Sequence, residues 1–144
     1  MKIVDSNQIW EGFFTYQDGY EDIDQYIDVD FTMNLIFNGD SFHGTSEDSE
    51  SKYFFDKPTQ VKGFVDGNKI SFVLNYPYAY FKDYDGQIFV DKNSKHPEIH
   101  YFGIFDETEK CYYGEWEMTV YEEKFGDDYL EEVLNGNFEM RRKK

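Results

Sequence analysis

The chain has almost no cysteine and almost no alanine. Cys111 is its one cysteine, so no disulfide can form within the chain and folding needs no oxidising compartment. Ala79 is its one alanine, whereas 21% of the residues are aromatic. Large rings pack well on the pleated surface of a sheet and lose rotamer freedom in a helix. The composition therefore favours strands over helices.

Long hydrophobic runs are also missing. Residues 1–10 contain no apolar run long enough for a signal peptide, and no stretch of the chain approaches the length of a transmembrane helix. The sequence therefore predicts a soluble, cytoplasmic protein that binds no membrane. A chain of 144 residues corresponds to a single domain, residues 1–144. A domain of this size buries about 68–70% of the surface of its unfolded chain, which is enough for a hydrophobic core.

Positive charge is scarce as well. The chain has 14 basic and 30 acidic residues, which gives a formal net charge of −16. Such a field repels phosphate backbones and anionic lipids, so nucleic acid and membrane surfaces are disfavoured as partners. It attracts basic proteins and speeds their encounter with the chain. Because the acids are dispersed over most of the chain, high solubility is the alternative explanation of the charge.

The chain has instead one pattern that returns from end to end. Apolar and polar residues alternate, and a glycine often takes an apolar position, as in Trp10-x-Gly12-x-Phe14-x-Tyr16 and Tyr112-x-Gly114-x-Trp116-x-Met118. Alternation with a period of two places the apolar side chains on one face of a strand. Glycine within that set leaves room where a sheet bends or strands approach closely. The pattern favours a closed antiparallel barrel.

The alternating segments predict the strands directly. Strands are expected at 10–16, 31–37, 41–45, 60–65, 69–76, 98–105, 112–121 and 137–141, with an extra hairpin formed by 78–81 and 87–90. Residues 17–24 and 47–51 are expected in solvated connections. One short helix is expected at 127–134, where Asp127 would cap it and Asn135-Gly136 would end it. The predicted fold is all-β, an up-and-down antiparallel barrel of about eight strands with this helix before the last strand. A two-sheet sandwich is the alternative.

The opening Trp10-x-Gly12-x-Phe14-x-Tyr16 strand and the sequential hairpins resemble the avidin-like and lipocalin-like (calycin-type) barrels. The closing Gly114-x-Trp116 and Gly136-x-Phe138-x-Met140 strands add to the likeness. The resemblance covers nearly the whole chain as a strand pattern. It implies an eight-stranded barrel that binds a small molecule in its interior.

The strand parity predicts which side chains would line such an interior. The expected ligand-binding residues are Trp10, Phe14, Met33, Leu35, Phe72, Tyr101 and Trp116. They are large and mostly apolar, so the expected ligand is a small apolar molecule. Small barrels are often filled by their own side chains, and the aromatic content of this chain is compatible with that outcome too.

A tyrosine-rich segment is the most suggestive surface feature. Residues 76–84 contain Tyr76, Tyr78, Tyr80 and Tyr84 close to Pro77. Tyrosine is enriched at protein interfaces because it combines a large rigid face with a polar tip. The segment therefore predicts a partner-binding patch or a rim of the barrel, while burial of alternate rings in the core is the alternative.

The titratable residues predict neither catalysis nor a bound cofactor or metal. His43, His96 and His100 lack clustered ligands and are expected at the surface. Cys111 lies among acids that disfavour its thiolate. The Asp83-x-Asp85-Gly86 segment is explained by a hairpin turn without calcium. The sequence thus predicts a non-catalytic barrel that binds a small apolar ligand, or alternatively an acidic interaction or inhibitor module for a basic partner.

Overall fold

The computed structural model describes residues 6–16, 28–49, 55–82, 87–93, 95–125 and 128–143, and at 16, 80–82, 88, 119–125 and 128–134 it describes the backbone alone. Within these residues ten β-strands follow one another. They are β1 (Ser6–Tyr16), β2 (Val29–Asn38), β3 (Ser41–Asp48), β4 (Thr59–Asp66), β5 (Lys69–Asn75), β6 (Ala79–Lys82), β7 (Ile88–Asp91), β8 (Ile99–Asp106), β9 (Cys111–Phe125) and β10 (Asp128–Arg142).

Eight of these strands form a closed antiparallel barrel in the order β1-β10-β9-β8-β5-β4-β3-β2. Neighbours in the barrel are neighbours in sequence, except that β1 pairs with β10 to close it and β5 pairs with β8. The strands β6 and β7 form a separate two-stranded sheet between β5 and β8 in the sequence. The predicted barrel and the predicted extra hairpin are therefore confirmed, and the sandwich alternative is excluded.

Alternation along the strands sends one set of side chains to the interior. On β2 the side chains of Val29, Phe31, Met33 and Leu35 are buried, while the residues between them are exposed. The same alternation on the other strands gives one hydrophobic core inside the barrel. Two of the connecting turns depend on glycine, because Gly39 and Gly67 have φ angles of 63° and 62°.

The helix predicted for residues 127–134 is not found. From Asp128 onward these residues belong to β10, and they pair with β9 in a register that shifts between Glu132 and Val133. Helix propensity is a weak preference, and here the long β9 strand supplies hydrogen-bond partners for the whole segment. Within the described residues no helix is long and apolar enough to span a membrane.

The barrel has one end with short turns and one with long connections. The turns at 39–40, 67–68 and 107–110 lie at the first end. At the second end lie the connection from β3 to β4 and the long excursion from β5 to β8, which contains the β6–β7 hairpin. This second end holds the polar contacts described below. The predicted connection at 17–24 lies outside the described residues.

Candidate functional site

The residues predicted to line the interior do come together. Trp10, Phe14, Met33, Leu35, Phe72, Tyr101 and Trp116 are all buried members of one hydrophobic cluster. The centre of this cluster is a group of aromatic rings. Phe72 stacks on Tyr101, with ring centroids 4.7 Å apart and planes 13° from parallel. Phe138 meets both rings edge-on, at 5.8 Å from Phe72 and 5.0 Å from Tyr101.

The packing at this level leaves little free volume. Met33 and Leu35 are 0% exposed, and Phe72 and Tyr101 are 1% exposed. Since even a water-sized space beside these side chains would raise their exposed surface, the middle of the barrel is filled by the protein itself. A ligand at this level would have to displace side chains. Binding of an apolar molecule by these residues stays a prediction.

The two tryptophans lie opposite residues of this layer in the strand register, Trp10 opposite Met33 and Trp116 opposite Tyr101, and both indole N–H groups are hydrogen-bonded. The Nε1–H of Trp10 donates to Oε1 of Gln8 at 3.0 Å, and its ring lies 5.5 Å from that of Tyr112. The Nε1–H of Trp116 donates to the carbonyl oxygen of Thr15 at 2.9 Å. The Trp116 hydrogen bond therefore joins β9 to β1, whereas the Trp10 hydrogen bond stays within β1.

A buried polar group, the inner cluster, consists of Asp48, Tyr76 and His96. The hydroxyl of Tyr76 donates to Oδ2 of Asp48 at 2.7 Å, and the Tyr76 and His96 rings lie 4.8 Å apart. Because a carbonyl can only accept, Nδ1–H of His96 donates to the oxygen of Pro97 at 2.7 Å. Burial lowers the pKa of His96, and the Pro97 carbonyl and the Asp48 carboxylate oppose that shift.

The inner cluster corrects two expectations. His96 was predicted at the surface, but it is 4% exposed, because its ring packs on Tyr76 where the chain returns toward β8. Asp48 was predicted in a solvated loop, but it is the last residue of β3 and is also 4% exposed. His43 is exposed, and His100 lies outward with its Nε2 3.8 Å from a carboxylate oxygen of Glu98, as the strand parity predicted.

A second polar group, the outer cluster, consists of Asp56, Tyr78 and Lys92. The hydroxyl of Tyr78 donates to Oδ1 of Asp56 at 2.8 Å, and Nζ of Lys92 lies 3.4 Å from Oδ2. The Tyr78 hydrogen bond, followed by the charge of Lys92, lowers the pKa of Asp56, and the same hydrogen bond raises the pKa of Tyr78. The Phe55 ring contacts both tyrosines, at 5.7 Å from Tyr76 and 6.1 Å from Tyr78.

The tyrosine-rich segment contributes one tyrosine to each cluster, Tyr76 to the inner cluster and Tyr78 to the outer cluster. Tyr76 is a core residue, whereas Tyr78 is half-buried at the rim. The side chain of Tyr80 and the whole of Tyr84 lie outside the described residues. The segment's role as a partner patch stays a prediction.

The Cys111 thiol and the possible metal ligands complete the reactive groups among the described residues. Cys111 is buried, and burial together with the nearby Glu139 carboxylate raises the pKa of its thiol. A low thiolate content was predicted for it. In the part of the chain that the structure describes, no group of three or more His, Cys, Asp or Glu side chains could hold a metal ion. The Asp83-x-Asp85-Gly86 segment lies outside that part.

The outer wall of the barrel carries an apolar patch that the sequence reasoning missed. Phe102 and Ile104 on β8 and Tyr113 on β9 point outward and are 48%, 44% and 48% exposed. Ile104 lies directly opposite Tyr113 in the strand register, and Phe102 lies opposite Glu115. A signal was present, because residues 101–105 read as an apolar run rather than as alternation. Such a run on a strand leaves one apolar set on each face.

Comparison with protein-family models, with curated proteins and with solved structures gives no match for this chain. The resemblance to calycin-type barrels therefore consists of the architecture, an eight-stranded closed antiparallel barrel. Membership of the avidin-like or lipocalin-like families stays a prediction. Any functional conclusion has to come from the side chains of this chain.

Proposed function

We propose that this chain is a non-catalytic β-barrel protein that binds a basic protein partner through its outer surface. The observation that carries the proposal is the contrast between the two sides of the barrel wall. Inside, Met33, Leu35, Phe72 and Tyr101 leave 0–1% of their surface exposed. Outside, large apolar side chains and carboxylates are available for contact. The barrel serves as a rigid scaffold for that surface.

The charge of the chain supports a basic partner. The formal net charge is −16, and carboxylates are exposed on most barrel strands, for example Glu11, Asp30, Glu47, Asp66 and Glu117. Positive charge on a partner would raise its rate of encounter with this chain and favour its binding over that of acidic proteins. Solubility alone explains the charge but not the apolar side chains exposed among the acids.

The test uses a defined probe, the proteins of the host's lysate that a cation exchanger retains at neutral pH. The immobilised chain is expected to bind a basic protein from this fraction, with an association rate that falls steeply as salt is raised. Binding that ignores ionic strength contradicts the proposal, and so does the absence of any retained basic protein. The flow-through fraction of acidic proteins is the control and should bind much less.

A small apolar ligand is the second candidate function. The specific observation in its favour is that the side chains predicted to bind it form a single interior cluster. Binding would require movement of rings such as Phe72 and Phe138, which lie 5.8 Å apart. A panel of fatty acids and hydrophobic dyes should then raise the melting temperature of the purified protein. If no member of the panel shifts the melt or is displaced by another, the interior functions as a core.

A further inference from the structure

The apolar patch on the outer wall is compact and continuous. It consists of Phe102, Ile104 and Tyr113, and we call it the β8–β9 face. Ile104 lies directly across from Tyr113, and Phe102 occupies the next outward position on β8. Directly paired and diagonal neighbours on one face of a sheet are within reach of each other. Each of these side chains has almost half of its surface exposed.

A shallow groove of about 430 Å³ runs between these side chains. Its floor is formed where Gly103 and Gly114 lie opposite each other in the register. A Cβ atom at Gly114 would overlap the backbone of Phe102 and Gly103, so the two strands approach as closely here as glycine allows. On the outer face the groove is a shallow depression with Phe102 and Tyr113 on either side of this glycine pair. A protruding apolar side chain of a partner would fit such a depression.

The charges around the groove are distributed unevenly. Carboxylates border the face on its β9 and β10 side. Glu115 and Glu117 on β9 lie opposite Phe102 and His100 of β8. Glu139 on β10 lies opposite Tyr113. Glu139 forms an ion pair with Arg141, with Oε2 of Glu139 3.6 Å from Nη2 of Arg141. Among the residues that line the groove, Lys69 is the cation, and it lies opposite Ile104 on the β5 side. Since Glu139 is paired with Arg141, Glu115 and Glu117 make the β9 side of the border acidic, while Lys69 lies on the β5 side.

Together these features select one kind of occupant. A second copy of the chain would bring its own net charge of −16 toward an acidic border, which costs electrostatic energy. A basic protein gains electrostatic energy at the same place. Aromatic anchors surrounded by a charged rim are the usual composition of such an interface.

We propose that the β8–β9 face is the docking site for a basic protein whose contact surface presents an apolar side chain flanked by lysine or arginine. This inference rests on the proposed function above and specifies where the partner binds. The apolar side chain occupies the groove between Phe102 and Tyr113. The flanking cations lie against Glu115 and Glu117.

The test compares two variants with the same kind of change. Phe102→Thr combined with Ile104→Thr removes two of the three apolar side chains of the β8–β9 face and puts threonine, a β-branched residue that suits a strand, in their place. Ile9→Thr removes another exposed apolar side chain, 40% exposed on β1, and is the matched control. The probe is the cation-exchange fraction of the host's lysate, and the bound proteins are quantified by mass spectrometry. Circular dichroism and a thermal melt check that each variant is folded.

The double variant is expected to retain at least about tenfold less of the basic protein than the wild type, whereas Ile9→Thr retains as much as the wild type. A second arm of the experiment combines Glu115→Gln with Glu117→Gln. Its control combines Asp30→Asn with Glu47→Gln, which lie on β2 and β3 in the opposite wall of the barrel. The first pair should lower both the binding and its salt dependence more than the second.

The possible failures are distinguishable. If the wild type retains a basic protein and the double variant retains it equally, the docking site is wrong and the proposed function stands. If the wild type retains no basic protein, both are wrong. If sedimentation of the wild type alone shows a dimer that the double variant abolishes, a second copy covers the face and the inference is overturned.

Discussion

The inner and outer clusters contain the same hydrogen bond in two different environments. In each, a tyrosine hydroxyl donates to an aspartate, at 2.7 Å between Tyr76 and Asp48 and at 2.8 Å between Tyr78 and Asp56. In each, the bond joins the excursion between β5 and β8 to β3 or to the connection that follows it. Yet Tyr76 and Asp48 are buried, whereas Asp56 is exposed.

Hydrogen bonds of nearly the same length therefore need not contribute equally to the free energy of unfolding. A buried hydrogen bond lies in a medium of low dielectric, and its loss leaves an acceptor that water replaces poorly. An exposed one competes with water at every moment, so its loss changes little. We therefore expect the inner cluster to hold the excursion to the barrel and the outer cluster to add little to stability.

The largest effect is expected from Tyr76→Ala. This change removes a ring that contacts Phe55 at 5.7 Å and His96 at 4.8 Å, and it leaves a cavity in the core. The free energy of unfolding should fall by about 3–5 kcal/mol, as for other large-to-small core changes. Urea denaturation measures it. Tyr78→Ala is the control at the outer cluster, and an equal loss there would contradict the comparison.

A smaller effect is expected from Tyr76→Phe, which keeps the ring and removes the hydroxyl. The Asp48 carboxylate loses a charge-assisted bond of 2.7 Å while the packing is unchanged. The free energy of unfolding should fall by about 1.5–3 kcal/mol. Chemical denaturation of Tyr76→Phe, Asp48→Asn and the double variant forms a cycle that isolates the pair. If the single losses simply add, the hydrogen bond is not what couples these residues.

The inner cluster also predicts a pH dependence. The pKa of His96 is lowered in the folded protein, mainly by burial, so the unfolded chain binds its proton first as the pH falls. Stability should therefore decline as the pH falls below the ordinary value of 6.5 and level off below the folded pKa. His96→Gln should flatten this part of the profile, as measured by melts between neutral and mildly acidic pH. Parallel profiles for the two proteins would mean that His96 does not titrate in the way its burial requires.

Much of the barrel could be predicted because the alternation within a single strand shows which of its side chains face the interior. Alternation on β2 identifies Phe31, Met33 and Leu35 as interior residues without knowledge of any neighbour. The same parity correctly placed Trp10 and Tyr101 in the core. Period-two patterns work here because each barrel strand has one face toward the core and one toward water.

The inner cluster could not be predicted, because contacts between residues far apart in the sequence create it. His96 lies outside any strand, and it is buried only because the excursion folds back onto Tyr76. Asp48 has the polarity of a loop residue, and it is buried where β3 meets that excursion. The segment 128–134 has local helix signals that pairing with β9 overrides. The sequence around each of these residues does not indicate which distant residues it will contact.

The smallest effect is expected from Tyr78→Phe at the outer cluster. The Tyr78 hydroxyl donates to Asp56 at 2.8 Å and lowers the pKa of that carboxyl, but the carboxylate is exposed and water can replace the lost donor. Lys92 remains 3.4 Å from the same carboxylate and keeps part of the interaction. The denaturation midpoint should therefore be unchanged within error, in low and in high salt. A loss comparable with that of Tyr76→Phe would show that the excursion is held from outside, and burial would no longer distinguish the two clusters.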